Sequence, residues 1–151
     1  MRALIQRVKK ASVEIENDTE DRSIGQGLLV LIGIEHEDKL EDADYLLQKI
    51  TQLRIFSDAE GKMNLSLKDI QGSILVVSQF TLFASTKKGN RPSFIQSAGP
   101  ETAIPLYEYF LKHLNDSFEF IVKSGIFGAD MQVSLVNDGP VTILIDSKNK
   151  E

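Results

Sequence analysis

The chain contains no cysteine among its 151 residues. Disulfide bonds, thiolate catalysis and cysteine metal sites are therefore excluded, and this composition suits a reducing compartment, so we expect a cytoplasmic protein. No apolar run approaches the roughly 20 residues that a membrane-spanning helix requires. The first residues alternate in polarity and form no apolar signal region, so we expect no association with a membrane.

An excess of positive charge is also missing. Seventeen basic residues stand against 22 acidic ones, which gives a formal net charge of −5. A broad, nonspecific nucleic-acid binder gains its affinity by neutralising phosphates, so that class is disfavoured. One local basic cluster remains, formed by Lys87, Lys88 and Arg91, and it is either a solvated loop or a contact for phosphates.

The familiar signatures of cofactor and metal sites are absent. The sequence has no glycine-rich phosphate loop, and His36 and His113 lack the spacing of metal ligands. We therefore expect no metal and no cofactor. A Ser-His-Asp hydrolase is disfavoured as well, because neither histidine is a convincing partner for a nucleophile.

The apolar pattern predicts a single domain over residues 1–151, made of many strands and two main helices. This order differs from alternating βαβ units and favours an α/β fold with an antiparallel or mixed sheet closing toward a barrel. Pro105 is expected in the first turn of the second helix, where proline is tolerated. We predict helices at 40–53 and around 104–114, and strands at 4–8, 13–16, 28–32, 54–56, 73–83, 118–122, 131–136 and 141–145.

Four polar or aromatic residues interrupt the most apolar predicted strand. Alternation along that strand would place Ser78 and Phe80 on one face, with Gln79 and Thr81 on the other. Buried hydroxyls and amides need partners, so this stretch is either a satisfied structural network or a site. A serine or threonine nucleophile normally needs an adjacent base. Without one, backbone donors could still stabilise the attack of water on an activated ester, assisted by a neighbouring ribose hydroxyl.

A Gly139-Pro140 pair separates two apolar runs near the end of the chain. Proline fixes one backbone angle and removes a donor, while glycine is freed from the sterics of a Cβ atom. The pair is either a turn that joins two strands or a rigid backbone feature that gauges the shape of a ligand.

Residues 78–82 and 137–142 together resemble the two defining motifs of the D-aminoacyl-tRNA deacylase family. Further similar segments lie at 1–8, 27–31, 53–56, 61–66, 88–94 and 127–133. The resemblance implies a homodimeric, barrel-like α/β fold that hydrolyses the ester between a D-amino acid and the 3′ end of tRNA. It also implies that glycine attached to tRNA is a substrate.

The resemblance implies a role for each motif residue. Ser78, Gln79, Phe80 and Thr81 would line the pocket for the terminal adenosine and the ester. Main-chain donors and the substrate's own ribose hydroxyl would act there, with Thr81 as a positioning group and not as an acylated nucleophile. Phe127 and Met131 would be neighbours of this pocket.

The second motif would provide a chirality gate. The resemblance implies that the Gly139-Pro140 peptide is cis and reaches from one subunit into the pocket of the other. There it would block an L side chain and admit D-amino acids and glycine, with Arg7 holding it in place. Lys87, Lys88 and Arg91 would meet phosphates of the aminoacyl-tRNA.

Two other classes remain open from the residues alone. A noncatalytic nucleic-acid-binding module could stack bases on Phe80 and Phe83 beside Lys87 and Lys88. A purely structural dimer is the third possibility, but it leaves both polar interruptions unexplained.

Overall fold

The computed structural model describes residues 1–150 and contains, within them, eight strands and two α-helices. The strands are β1 (Arg2–Ile15), β2 (Ser23–Ile24), β3 (Gly27–Gly33), β4 (Phe56–Ser57), β5 (Met63–Leu65), β6 (Ser73–Ser78), β7 (Val122–Ser124) and β8 (Met131–Asp146). The helices are α1 (Leu40–Gln52) and α2 (Pro100–Ser117), and a 3₁₀ turn spans Phe80–Phe83.

The main sheet is mixed and nearly closed. Its strands follow the order β2-β1-β3-β6-β7, with β8 on the other edge of β1. Strand β1 is antiparallel to β2, β3 and β8, whereas β3, β6 and β7 run parallel to one another. The ends of this path meet where Arg22, directly before β2, donates from Nη1 to the carbonyl oxygen of Ser124 in β7 at 2.5 Å. The predicted strand-rich α/β fold with a mixed sheet closing toward a barrel is confirmed.

Strand β3 pairs with β1 on one edge and with β6 on the other, and its two faces are buried by separate hydrophobic cores. Its alternate side chains enter two cores: Leu28 and Val30 pack toward the helices, and Leu29 packs on the opposite face. The helices cover the larger core with Ala43, Leu46, Ile50, Leu106, Phe110 and Leu114. The prediction of a buried central strand at 28–32 is confirmed.

Helix α1 begins and ends within one residue of its predicted bounds, but α2 begins earlier than predicted. Pro100 occupies the first helical position, where a missing N–H has no cost, after Gly99 as the N-cap. The prediction that Pro105 lies in the first turn is therefore wrong. Pro105 is exposed and removes one hydrogen bond to the carbonyl of Glu101, which also faces the solvent side.

Several predicted strand boundaries are wrong for one shared reason, the position of the partner strand. The predictions at 4–8 and 13–16 form the single strand β1, because β8 pairs along both halves. The segments 131–136 and 141–145 form the single strand β8 for the same reason. Strand β6 ends at Ser78 instead of 83, since its partner β3 ends at Gly33. The strand predicted at 118–122 forms instead at 122–124 as β7, where it pairs with β6.

No helix within residues 1–150 combines the length and the apolar character needed to cross a membrane.

Candidate active site

A cleft of about 290 Å³ opens where β3 and β6 end. Because these strands are parallel, their carboxyl ends meet at the same edge of the sheet, where ligand clefts commonly form. The rest of the wall comes from the start of α2 and from the segment that joins β7 to β8. The lining residues are Ile32, Ile34, Val77, Ser78, Gln79, Phe80, Ala98, Ala103, Phe127, Gly128, Ala129, Met131 and Val133.

None of these lining side chains carries an ionisable group. The ring of His36 contacts the carbonyl oxygen of Ile95 at 3.0 Å, and that of His113 contacts the carbonyl of Tyr109 at 2.9 Å. Within residues 1–150, no three His, Cys, Asp or Glu side chains are grouped to hold a metal ion. The cleft of this chain therefore offers a ligand neutral polar side chains and backbone groups.

The segment from Ser78 to Thr81 turns sharply at the cleft. Gln79 makes the last bond to the neighbouring strand, from its N–H to the carbonyl oxygen of Ile32 at 2.7 Å. The 3₁₀ turn then begins, and its first bond runs from the N–H of Leu82 to the carbonyl of Gln79 at 3.3 Å. The amides of Phe80 and Thr81 precede that bond, as the leading N–H groups of a helical turn do. The strand alternation predicted for these residues is therefore wrong beyond Ser78.

Within this segment, the side chains of Gln79 and Thr81 are hydrogen-bonded to each other. Gln79 donates from Nε2 to Oγ1 of Thr81, so the two side chains orient each other. Thr81 is exposed and lies beside the lining of the cleft, not within it. Phe80 lines the mouth of the cleft and keeps 57% of its surface exposed.

Phe127 and Met131, which the resemblance implies as neighbours of the pocket, also line the cleft. The ring of Phe127 lies 5.9 Å from that of Tyr107 between centroids, at an angle of 54°. The hydroxyl of Tyr107 donates to the carbonyl of Val76 at 3.2 Å, and burial raises the pKa of this phenol well above its ordinary value. The sulfur of Met131 lies directly over Gly125, where any Cβ atom would displace it.

The second predicted motif lies away from this cleft, in a bulge of β8. Gln6 pairs with Thr142 and Val8 pairs with Asn137, so the four residues 138–141 oppose the single residue Arg7. The Gly139-Pro140 peptide is cis, and both residues are exposed. Gly139 has φ of +142°, and a Cβ atom there would lie 2.8 Å from Cγ2 of Val141. The bulge replaces the strand-joining turn that was one of the two interpretations of this sequence.

Arg7 ties the bulge to the body of the protein. Its Nε donates to the carbonyl oxygen of Asp138 at 2.8 Å, and its Nη1 donates to that of Ile55 at 2.5 Å. The Asp138 carboxylate lies 3.6 Å from Nε of Arg7, a residue that is 9% exposed as a whole. Arg7 thus links the bulge of β8 to the segment that precedes β4.

Asn137 shapes the same bulge and was not singled out from the sequence. Its Oδ1 accepts from the N–H of Val141 at 2.8 Å, and its Nδ2 donates to the carbonyl of Val141 at 3.3 Å and to Oγ1 of Thr142 at 3.1 Å. The available signal was an asparagine two residues before glycine, since Asn side chains often bond nearby backbone.

Lys87, Lys88 and Arg91 lie on an exposed loop outside the cleft. Two bonds between the backbones of Ser85 and Ser93, at 2.8 and 2.9 Å, close the base of this loop. The segment that follows the loop returns to the cleft, because Oγ of Ser97 donates to the carbonyl of Phe80 at 2.7 Å.

Phe94, in that returning segment, was also missed by sequence reasoning. Its ring meets the ring of Phe80 edge to face, with centroids 5.0 Å apart and planes at 72°. Phe83, proposed from the sequence as a stacking group, is only 1% exposed and belongs to the core. A phenylalanine directly after a basic, glycine- and proline-containing loop was the signal that could have found Phe94.

Comparisons with known proteins agree with this fold. The D-aminoacyl-tRNA deacylase of Cytophaga hutchinsonii is 66% identical over 151 residues, which is 100% of both chains. A solved structure named c-Myc DNA Unwinding Element Binding Protein has a TM-score of 0.89 and 42% identity, covering 97% of this chain and 98% of that one. A solved probable eukaryotic D-amino acid tRNA deacylase has a TM-score of 0.79 at 19% identity over 95% and 97% of the two chains, which shows the shared fold alone.

The fold and these relatives define the protein as a deacylase, an enzyme of the hydrolase class. Residues 4–146 match the family model described as D-Tyr-tRNA(Tyr) deacylase, and the chain belongs to that family. The resemblance found in the sequence motifs is confirmed.

Proposed function

We propose that this protein hydrolyses the ester bond between a D-amino acid and the 3′-terminal adenosine of tRNA, releasing both. It would act in the cytoplasm as one domain, residues 1–151, without a metal or cofactor. The observation that carries the proposal is the cleft itself, whose lining includes the start of the 3₁₀ turn at Phe80 and has no ionisable side chain. Such a site suits an ester that is already activated and needs mainly orientation and charge stabilisation.

In this mechanism the amides of Phe80 and Thr81 donate to the carbonyl oxygen of the ester. Water attacks the carbonyl carbon, the negative charge on oxygen is stabilised by the two donors, and the bond to the ribose 3′ oxygen breaks. The neighbouring 2′ hydroxyl passes its proton to that leaving oxygen and takes one from the attacking water, so both ribose hydroxyls of the released tRNA end protonated. One donor of this kind is worth about 100- to 1,000-fold in rate, and the ribose hydroxyl moves the proton that a side-chain base would otherwise take. Thr81 orients Gln79 and takes no acyl group.

The chirality gate would come from a second copy of the chain. Val133 lines the cleft, and Gly139 follows six residues later on β8, roughly 20 Å away at the rise of a strand. The bulge is exposed and does not line the cleft of its own chain. Strand β8 is also an edge strand with the exposed apolar side chains Val136 and Leu144, which suits pairing with another chain. We therefore propose a homodimer with a cross-subunit active site.

Backbone at Gly139 and Pro140 would read the configuration at Cα of the substrate. An L side chain would collide with this backbone, a D side chain would point away from it, and glycine would pass because it has no side chain. Arg7 holds the bulge against Ile55, so the backbone cannot move aside for the larger group.

A noncatalytic nucleic-acid-binding module is the second candidate, because one similar solved protein is named for binding DNA. The burial of Phe83 argues against the stacking face that this candidate used, and the net charge of −5 argues against strong phosphate binding.

The proposal is tested by hydrolysis of D-Tyr-tRNA, L-Tyr-tRNA and Gly-tRNA with purified protein dialysed against a chelator. We expect rapid loss of the D and glycyl esters while the L ester is spared. Binding of tRNA without any turnover would support the binding module instead. Equal turnover of D and L esters would leave a hydrolase without the gate.

A mixing experiment tests the cross-subunit site. Ala129→Phe fills the cleft and leaves the bulge intact, while Gly139→Ala alters the bulge and leaves the cleft intact. Each variant is measured alone first, to establish which property it loses. After subunit exchange in a 1:1 mixture, half of the dimers are hybrids with one intact site of two. If both variants alone lose hydrolysis of the D ester, about a quarter of the wild-type rate of that hydrolysis should return. A gate acting within its own chain would return none.

A further inference from the structure

We propose that the rings of Phe94 and Phe80 form a stacking platform for the base that precedes the terminal adenosine of the RNA. The inference rests on the proposed function, because it continues the path of the substrate out of the cleft. Phe80 lines the mouth of the cleft, and Phe94 meets it edge to face on the outer side at 5.0 Å.

The exposure of this pair is unusual for large aromatic side chains. Phe80 is 57% exposed and Phe94 is 36% exposed, although both rings are large enough to fill a core. Within residues 1–150, the other phenylalanine side chains are more deeply buried. Exposed apolar groups beside a pocket commonly mark a binding surface.

Positive charge on the loop beside the platform favours nucleic acid as the ligand of the platform. The loop that ends at Phe94 carries Lys87, Lys88 and Arg91, all exposed and without an ion pair among the described contacts of residues 1–150. Aromatic rings stack on bases of any sequence, and neighbouring cations hold the phosphates that link them. A single-stranded RNA tail with one base in the cleft would thus place its next base on Phe94 and its phosphates along the loop.

The platform has a fixed position relative to the cleft. Ser97, three residues after Phe94, donates to the backbone carbonyl of Phe80 at 2.7 Å, and Ser85 and Ser93 close the loop with two backbone bonds. The two rings therefore belong to one braced unit beside the cleft.

The test compares the affinity of adenosine with that of cytidylyl-adenosine, the last two nucleotides of tRNA, by calorimetry. The wild-type protein should bind the dinucleotide more tightly by about tenfold, since one stacked base contributes on that order. Phe94→Ala should lower this ratio of affinities, because only the added phosphate would then favour the dinucleotide. Phe94→Tyr should keep the wild-type ratio. Phe94→Leu, which retains apolar bulk without an aromatic face, should behave like Phe94→Ala and serves if the alanine variant unfolds.

Ile95→Ala is the matched control, because Ile95 is adjacent and 84% exposed but is not part of the ring pair. It should keep the wild-type ratio. An unchanged ratio in both Phe94→Ala and Phe94→Leu would overturn the platform. Because binding is measured without turnover, an inactive protein that still shows the Phe94-dependent ratio would refute the hydrolase and support the platform.

Discussion

Replacement of Arg7 by methionine tests whether the bulge of β8 depends on one guanidinium. Methionine keeps most of the apolar stem of arginine and removes its donors. The bond to the Ile55 carbonyl is buried, so its loss leaves an acceptor without a partner or water. The bond to the Asp138 carbonyl is partly buried, and water can replace much of it.

Hydrogen bonds from a charged group contribute about 1.5–3 kcal/mol each, and partial replacement by water reduces the second. We therefore expect Arg7→Met to lower the free energy of unfolding by about 3 kcal/mol. With a urea m-value of about 1–3 kcal/mol per molar, the midpoint should fall by roughly 1–3 M. Unfolding is measured at one fixed protein concentration, because a dimer gains stability with concentration. The hydrolysis rates of matched D and L esters are measured on the folded variant.

Lys9→Met is the matched control for this substitution. Lys9 belongs to the same strand and lies 4.0 Å from the carboxylate of Asp138, but its side chain is 70% exposed. Loss of such a surface pair should change stability by less than about 0.5 kcal/mol. Equal stability of the two variants would refute the assigned anchoring role of Arg7. A large loss of stability with an unchanged ratio of D to L hydrolysis would show that the anchor supports the fold without serving selection.

Three further outcomes are expected. Gly139→Ala forces an L residue into φ of +142° and should destabilise the protein by about 1–3 kcal/mol and impair D-ester turnover or L-ester rejection; unchanged kinetics and unfolding would contradict this. Thr81→Ala loses only the contact with Gln79 and should retain turnover within about tenfold, whereas complete loss in a folded, tRNA-binding variant would indicate a nucleophile. Burial opposes ionisation of Asp42, but the hydrogen bond from Lys148 and other donors hold its pKa at about 2, below that of an unfolded chain. Its carboxylate therefore stabilises the protein above about pH 4, and the stability difference between wild type and Asp42→Asn in urea titrations should vanish between pH 4 and pH 2.

Local sequence predicted the class of fold well because the apolar patterns of β3, α1 and α2 are strong. It failed where the outcome depends on a partner far along the chain. The strand predicted at 73–83 stops at Ser78 because β3 ends beside it, and the polar interruption that begins at Ser78 does not by itself show that pairing ends there. The single strand β8 likewise exists because β1 is long enough to pair on both sides of the bulge.

In the candidate site, too, the sequence identified residues that belong to motifs and missed residues whose role depends on contacts in the fold. Motif resemblance identified residues of both the cleft and the bulge, and the structure brings Ser78, Gln79, Phe80, Phe127 and Met131 together in the cleft. It could not identify Asn137 or Phe94, whose importance lies in contacts with Val141 and Phe80. Their roles follow from a hydrogen bond and a ring contact that periodicity does not reveal.

Asn137 gives the bulge of β8 its shape before any substrate arrives. By exchanging two hydrogen bonds with Val141, its side chain does what a residue in an adjacent strand would otherwise do. A loop that must close over each ligand loses conformational freedom at every encounter, while this segment is already ordered by folding. Under the proposed role, selection would therefore occur at first contact, and a rejected aminoacyl-tRNA would leave without waiting for any segment to reopen.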